Sequence, residues 1–167
     1  MINNIIYLQV FIAGLCIGSF LNVIIYRFPN DLSIIKPRSF CPKCNTQLNW
    51  RENIPLLSWF LQRGKCKTCK TTISFRYPLI EFLTGFLFII FLNSSPSLYS
   101  SSPNLFFNTL LSWFFISLLV CISFIDIDYL WIPQGLVNFG FISGCLGLIF
   151  LSIFVNEFID FVFLFKG

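Results

Sequence analysis

Histidine is absent from the 167 residues. That excludes a Ser-His-Asp triad, a Cys-His dyad, any histidine-held metal and histidine-ligated haem. Charge is nearly as scarce. Only 11% of residues are charged and 56% are hydrophobic, with Phe alone numbering 23. An ordinary soluble domain is about 25% charged. Eleven basic and seven acidic side chains cannot solvate the surface of so greasy a globule. A soluble enzyme and a disordered chain are both excluded, and a polytopic membrane protein remains. Its chemistry must come from Asp, Glu, Cys, Lys, Tyr, Ser or the backbone.

The charges that exist are concentrated. Ten of the eleven Lys and Arg lie between Arg27 and Arg76, with Asp31 and Glu52 as the only acids there, a net charge of +8 (10 minus 2). A basic loop between apolar runs reads as cytoplasmic by the positive-inside rule. A nucleic-acid surface is the competing reading. The flanking spans and the cysteines within the loop argue against it, so no nucleic-acid partner is expected. Residues 5–26 form an uncharged run of spanning length. A cleaved signal peptide would carry a basic segment ahead of such a run; here the positive charge follows it, which places the N-terminus outside. Residues 78–92 form a second apolar run, short for a span and broken only by Glu81. Residues 94–104, rich in Ser and Pro, read as a loop. Residues 105–125 and 136–155 are clear spans, separated by a polar interruption over 126–135 that contains Pro133. Residues 158–165 open a further apolar stretch. No internal repeat or low-complexity linker is evident. Parity then places the basic loop and the segment around Asp126 on the same face of the membrane.

Two signals carry chemistry. Cys41-Pro42-Lys43-Cys44 and Cys66-Lys67-Thr68-Cys69 are two C-x-x-C pairs in one loop. Each offers two thiolates from a tight turn, and together they complete a four-sulfur shell suited to structural zinc. Two disulfides or a redox pair are the alternatives; a cytoplasmic loop disfavours stable disulfides, and no thioredoxin-like strand-helix context surrounds either pair. Cys16, Cys121 and Cys145 lie in spans and read as packed apolar residues. The second signal is Asp126 and Asp128, carboxylates at the edge of an apolar span, where an ionisable group by default suggests function. Aspartyl chemistry needs one carboxylate ionised and its partner protonated. At i and i+2 on a helix these two would point about 200° apart and make poor partners. A purely interfacial capping role is the alternative.

In this order the motifs resemble the type IV prepilin peptidase family of membrane aspartic peptidases, over its amino-terminal part. The resemblance begins with Gly18-Ser19-Phe20-Leu21-Asn22-Val23 and Arg27-Phe28-Pro29. It continues through the two cysteine pairs, Trp50-Arg51-Glu52-Asn53-Ile54-Pro55-Leu56, Ser58-Trp59 and Gly64-Lys65-Cys66. Arg76-Tyr77-Pro78-Leu79-Ile80-Glu81 and Ile125-Asp126-Ile127-Asp128 through Ile132-Pro133 complete it. The resemblance implies an aspartic-type endopeptidase of the bacterial plasma (inner) membrane. It would cleave the basic leader of type IV prepilin or pseudopilin precursors at the cytoplasmic face. Asp126 would be catalytic, and Asp128 and Gln134 supporting. Zinc would be held by Cys41, Cys44, Cys66 and Cys69. Many members also N-methylate the new terminus from S-adenosylmethionine, with Gly64 in the candidate cofactor region.

The chain departs from the family in two places. It has no Gly-x-Gly-Asp motif for a second aspartate: Asp160 is the only acid after Glu157 and lacks those glycines. Gln134 stands where the family usually has a third acid. These departures read as a truncated or split peptidase, working with a missing carboxy-terminal part or partner chain. The alternatives are a non-catalytic module that binds prepilins or assembly machinery, and a stand-alone methyltransferase. The +8 loop is a poor lure for a basic leader, so membrane lipids are its expected partners. The expected architecture is all-α, with four transmembrane helices and the start of a fifth, and a small zinc-ribbon-like loop. Its divisions are a first span over 1–26, a basic loop over 27–76, and helices of an incomplete peptidase domain over 77–167.

Overall fold

The computed structural model describes residues 2–94 and 103–164. The chain is helical: α1 Ile2–Arg27, a five-residue α2 Leu57–Leu61, α3 Arg76–Ser94, α4 Pro103–Tyr129 and α5 Gln134–Leu164. Among the described residues there is no strand, only two isolated antiparallel bridges in the loop between α1 and α3. Helices α1, α3, α4 and α5 are each long and apolar enough to cross a membrane, so the chain is a multi-pass membrane protein. Of the Ser/Pro loop expected over 94–104, Ser94 ends α3, Pro103 and Asn104 open α4, and 95–102 lie outside the described residues, as do 165–167.

Element boundaries differ from the sequence expectation in instructive ways. The short second run extends at both ends into α3, Arg76–Ser94, whose 19 residues span about 28 Å, close to the hydrocarbon thickness. Polar Asn93 and Ser94 cost little at a membrane edge, so the helix continues beyond the apolar run. The polar interruption begins later than expected. Helix α4 runs on through Asp126 and Asp128 to Tyr129. It ends where Leu130 turns left-handed (φ 50°) while its N–H reaches the Asp126 carbonyl at 2.8 Å. Pro133, which lacks an N–H and cannot continue a helix, completes the break. Helix α5 is unbroken from Gln134 to Leu164. The apolar stretch from Phe158 therefore lies on this same helix throughout the described residues.

Packing centres on α1 and α3. The Cβ that Gly14 lacks would sit 2.6 Å from the Gly85 Cα, and that of Gly18 2.7 Å from the Glu81 Cα. Only glycine allows the backbones so close, and small residues at i and i+4 are a common membrane-helix contact. Helix α4 lies against this pair, with Ile25, Ile80 and Ile125 fully buried where the three helices meet. The Trp113 ring stacks on Phe88 at 5.1 Å, and its indole N–H donates to the Phe88 carbonyl. Helix α5 packs on α4 through Gly140, Gly144 and Gly147, which receive Leu118, Phe115 and Leu111. Most of its apolar side chains, such as Phe141 and Leu148, face outward.

Candidate functional site

The loop between α1 and α3 brings all four expected cysteines together. In each knuckle the first cysteine's N–H donates to a threonine carbonyl, Cys41 to Thr46 at 3.0 Å and Cys66 to Thr71 at 2.8 Å. Each turn closes through a left-handed residue, Asn45 (φ 55°) or Lys70 (φ 58°), whose N–H reaches back to the first cysteine's carbonyl. A six-residue repeat, Cys-x-x-Cys-x-Thr, is the signal for this that a search for longer repeats passes over. The repeated threonines have a chemical role. Their hydroxyls lie 3.3 Å from the Cys44 sulfur and 3.1 Å from the Cys69 sulfur. The Thr71 hydroxyl, and then its backbone N–H, hold the Cys69 thiol down at about 6, and Thr46 lowers Cys44 in the same way. Such thiols give up their protons readily to a metal.

The sulfur geometry shows four free thiols converging on one point. All four Sγ atoms lie within 4.8 Å of one another. Cys41 approaches Cys69 at 3.8 Å and Cys44 approaches Cys66 at 4.0 Å. These separations are far too long for a disulfide of about 2.05 Å. A tetrahedral zinc with bonds of about 2.3 Å would have sulfur–sulfur edges of about 3.8 Å. The donor set fits zinc. Cys16, Cys121 and Cys145 stand apart on helices, and only Cys121 is buried.

Buried polar groups fix this loop to the helices. Arg27, at the end of α1, is 5% exposed. Its guanidinium donates to the carbonyls of Ser33 (2.8 Å), Ile34 (3.4 Å) and Pro37 (2.8 Å). Asn22 donates to the Tyr77 carbonyl at 3.1 Å. Glu81 on α3 accepts from the Leu56 N–H at 2.7 Å. Leu56 itself is strained, with φ 59° and ψ −54°, a γ-turn closed by the Leu57 N–H on the Pro55 carbonyl at 2.6 Å. A buried carboxylate holding a strained amide marks a built site. Sequence reading noticed Glu81 as a break in a span and as the end of the Arg76–Glu81 motif, without a partner.

A cavity of about 410 Å³ opens between the knuckles and the ends of α1 and α3. Tyr26, Trp59, Tyr77, Glu52 and Glu81 are among its lining. Gly64 sits behind this wall at φ 64°, and a Cβ there would meet the Trp59 ring at 2.8 Å. Gly64 thus touches the cavity through Trp59 rather than directly.

The aspartate segment lies on the same side of the molecule as the loop. Arg76, where the loop enters α3, forms an ion pair with Asp128, and its guanidinium lies 5.8 Å from the Phe124 ring centre. Asn30, where the loop leaves α1, donates to the Tyr129 hydroxyl at 2.9 Å. Both ends of the loop therefore clamp the last turn of α4. Asp126, on that turn, is exposed. Asp128 points away from it and is engaged by Arg76, so the two do not form a carboxylate pair. Gln134 opens α5 just past the buried Pro133.

Comparison with known proteins finds relatives of this chain by sequence. The model of the bacterial peptidase A24 N-terminal domain family covers residues 12–94. A prepilin leader peptidase/N-methyltransferase of Myxococcus xanthus is 46% identical over 134 residues, covering 80% of this chain and 38% of that protein. One of Bacillus subtilis is 40% identical over 133 residues, covering 77% and 49%. A type 4 prepilin-like proteins leader peptide-processing enzyme of Escherichia coli is 36% identical over 155 residues, covering 80% and 55%. The chain thus spans between 38% and 55% of the length of these relatives. No solved structure matches. The matched domain runs from the first span through the whole four-cysteine loop to the end of α3, and through it the chain belongs to the bacterial peptidase A24 family.

Proposed function

We propose that the chain supplies the metal-bearing loop and one catalytic aspartate, Asp126, of an aspartic-type prepilin leader peptidase. The loop and the end of α4 face the cytoplasm, as the +8 charge of the loop demands. The observation that carries this reading is the placement of Asp126: exposed, on a turn that the Arg76–Asp128 and Asn30–Tyr129 contacts tie to both ends of the four-cysteine loop. Asp126 would act on a water molecule as general base or acid opposite a second carboxylate. That carboxylate is not Asp128, and it would come from outside the described residues or from a partner chain. The substrate would be a prepilin or pseudopilin precursor whose apolar helix docks among the spans, because a basic leader gains nothing from a basic loop.

Cys41, Cys44, Cys66 and Cys69 would hold zinc as a structural ion. Four thiolates leave it no open position for a substrate. The relatives' printed names also include N-methyltransferase. The carboxylate- and aromatic-lined cavity suits the sulfonium and adenine of S-adenosylmethionine, which supplies a transferable methyl group when bound. Trp59, Glu81 and Tyr77 would hold it, and Gly64 would keep the Trp59 ring in place.

The second reading is a zinc-stabilised module that binds precursors or assembly machinery without cutting. The engagement of Asp128 by Arg76 favours it, since Asp126 then has no carboxylate partner on its own helix. One experiment separates the two. The complete gene, with Asp126→Asn or Asp128→Asn, is expressed in a host lacking its own prepilin peptidase, and leader removal is followed by precursor mass. Loss of cleavage by at least about 100-fold in Asp126→Asn, with a smaller loss in Asp128→Asn, is the expected result. Unchanged cleavage in Asp126→Asn would leave the binding module standing.

A further inference from the structure

The loop does not stand clear of the membrane helices; part of it lies along their sides. Leu56 bonds to Glu81, which lies about five residues, hence about 7.5 Å, inside the start of α3. Ser19, which lines the same cavity as Glu81, is about eight residues, hence about 12 Å, short of the end of α1. Ile34, Ile35 and Pro55 line one concavity that runs along α1 from Arg27, beside Arg38 and Asn53, down to Phe20 and Cys16. Cys16 is about 16 Å from Arg27 along the helix, comparable to half the hydrocarbon thickness of about 30 Å.

Four large apolar side chains turn outward here, with the cation of Lys36 exposed beside them. Ile35 is 85% exposed, Leu57 60%, Phe60 61% and Leu61 82%. Arg38, Arg51 and Arg63, all exposed, fringe them. Irregular backbone at membrane depth is tolerated only where protein groups satisfy its N–H and C=O. That is what Arg27 does for the carbonyls of Ser33, Ile34 and Pro37, and Glu81 for the amide of Leu56.

We infer that residues 34–37 and 54–61 form a re-entrant shoulder seated in the membrane leaflet on the loop side. Acyl chains cover Ile35, Leu57, Phe60 and Leu61, and anionic head groups meet Arg38, Arg51 and Arg63. The occupant is lipid because the apolar patch continues the lipid-facing sides of α1 and α3 and its rim is cationic. The inference rests on the multi-pass fold alone and not on the peptidase reading.

The test uses the full chain in phosphatidylcholine vesicles containing phosphatidylglycerol. A benzophenone-bearing residue replaces Ile35, Leu61 or, as a control in the first knuckle, Lys43. After illumination, the chain labelled at 35 or 61 should gain the mass of one phospholipid, and the chain labelled at 43 should not. No lipid adduct at 35 and 61, or adducts there with the mass of a second chain or another polypeptide, would overturn the inference. Hydroxyl-radical footprinting of the unsubstituted chain in the same vesicles gives a check that needs no variant. Ile35, Phe60 and Leu61 should be protected; oxidation at the rate of the unfolded chain would refute the shoulder.

Discussion

The contact between α1 and α3 yields a prediction whose sign is set by two opposing effects. In Gly14→Ala the added methyl would lie 2.6 Å from the Gly85 Cα and 3.1 Å from its nitrogen. Both are backbone atoms and neither can swing aside. Ordinary carbon contacts are about 3.5–4.0 Å, so the helices must separate by about 1 Å along a tightly packed seam. Overpacking of this kind costs about 1–3 kcal/mol. Replacing a helical glycine by alanine returns up to about 1 kcal/mol of intrinsic propensity. The balance is destabilisation by about 1–2 kcal/mol, roughly a five- to thirty-fold shift toward the unfolded state. Gly140→Ala is the internal control. There the new methyl meets only the Leu118 Cδ1 at 3.3 Å, the far end of a flexible side chain, so propensity should dominate and stability should hold or rise. The assay is unfolding of the purified chain in mixed micelles by a denaturing detergent, read by circular dichroism. If Gly14→Ala proves as stable as Gly140→Ala, the close seam described for α1 and α3 is wrong.

Other expectations follow from the loop and its clamps. Metal analysis should find about one zinc per chain; Cys69→Ser should lower that occupancy, and a chelator should unfold the loop while leaving most helical signal intact. Arg76→Gln should cost up to about 1 kcal/mol through the lost, partly exposed ion pair. Exchanging the charges, Arg76→Asp with Asp128→Arg, should recover part of it in the same unfolding assay, whereas no recovery would deny a direct pairing. Glu81→Leu leaves the strained Leu56 N–H without its acceptor, a loss of about 1–3 kcal/mol. Trypsin should then cut at Arg51 and Arg63 several-fold faster, while Glu81→Gln, which keeps an acceptor oxygen, should change little. Gly64→Ala must displace the Trp59 ring, so it should alter that indole's emission; an unchanged spectrum would remove Gly64 from the cavity wall.

The parts of this chain that were legible in its sequence are those written in composition or spacing. Uninterrupted apolar runs announced the spans, because a bilayer demands length and little else. The C-x-x-C pairs announced convergent thiolates, because two ligands from one turn are useless without two more. Parity and charge put the loop and the Asp126 segment on one side, and the Arg76–Asp128 and Asn30–Tyr129 contacts bring them together. What stayed hidden depends on contacts between residues far apart in the chain. Gly14 and Gly18 carry a readable small-residue spacing, but not the identity of Gly85 as its partner. Glu81 looked like a blemish in a span until Leu56, distant in sequence, supplied its hydrogen bond. Asp128 looked like a neighbour of Asp126, and only Arg76 shows that its charge is already engaged. The end of α4 was missed because carboxylates were taken to break a helix that in fact continues to the left-handed Leu130.

The tight seam between α1 and α3 also bears on how the four-cysteine loop would respond to losing a bound ion. Closing a free loop of roughly 50 residues costs about 3 kcal/mol in chain entropy, before a constant term. Here the spans hold the two ends together, and Arg27 and Glu81 shorten the free segment further. The thiolate cluster therefore organises only the few residues of each knuckle. Such a module can be emptied and refilled while its anchorage stays put, so exposure to a chelator should be a reversible local event rather than the start of global denaturation.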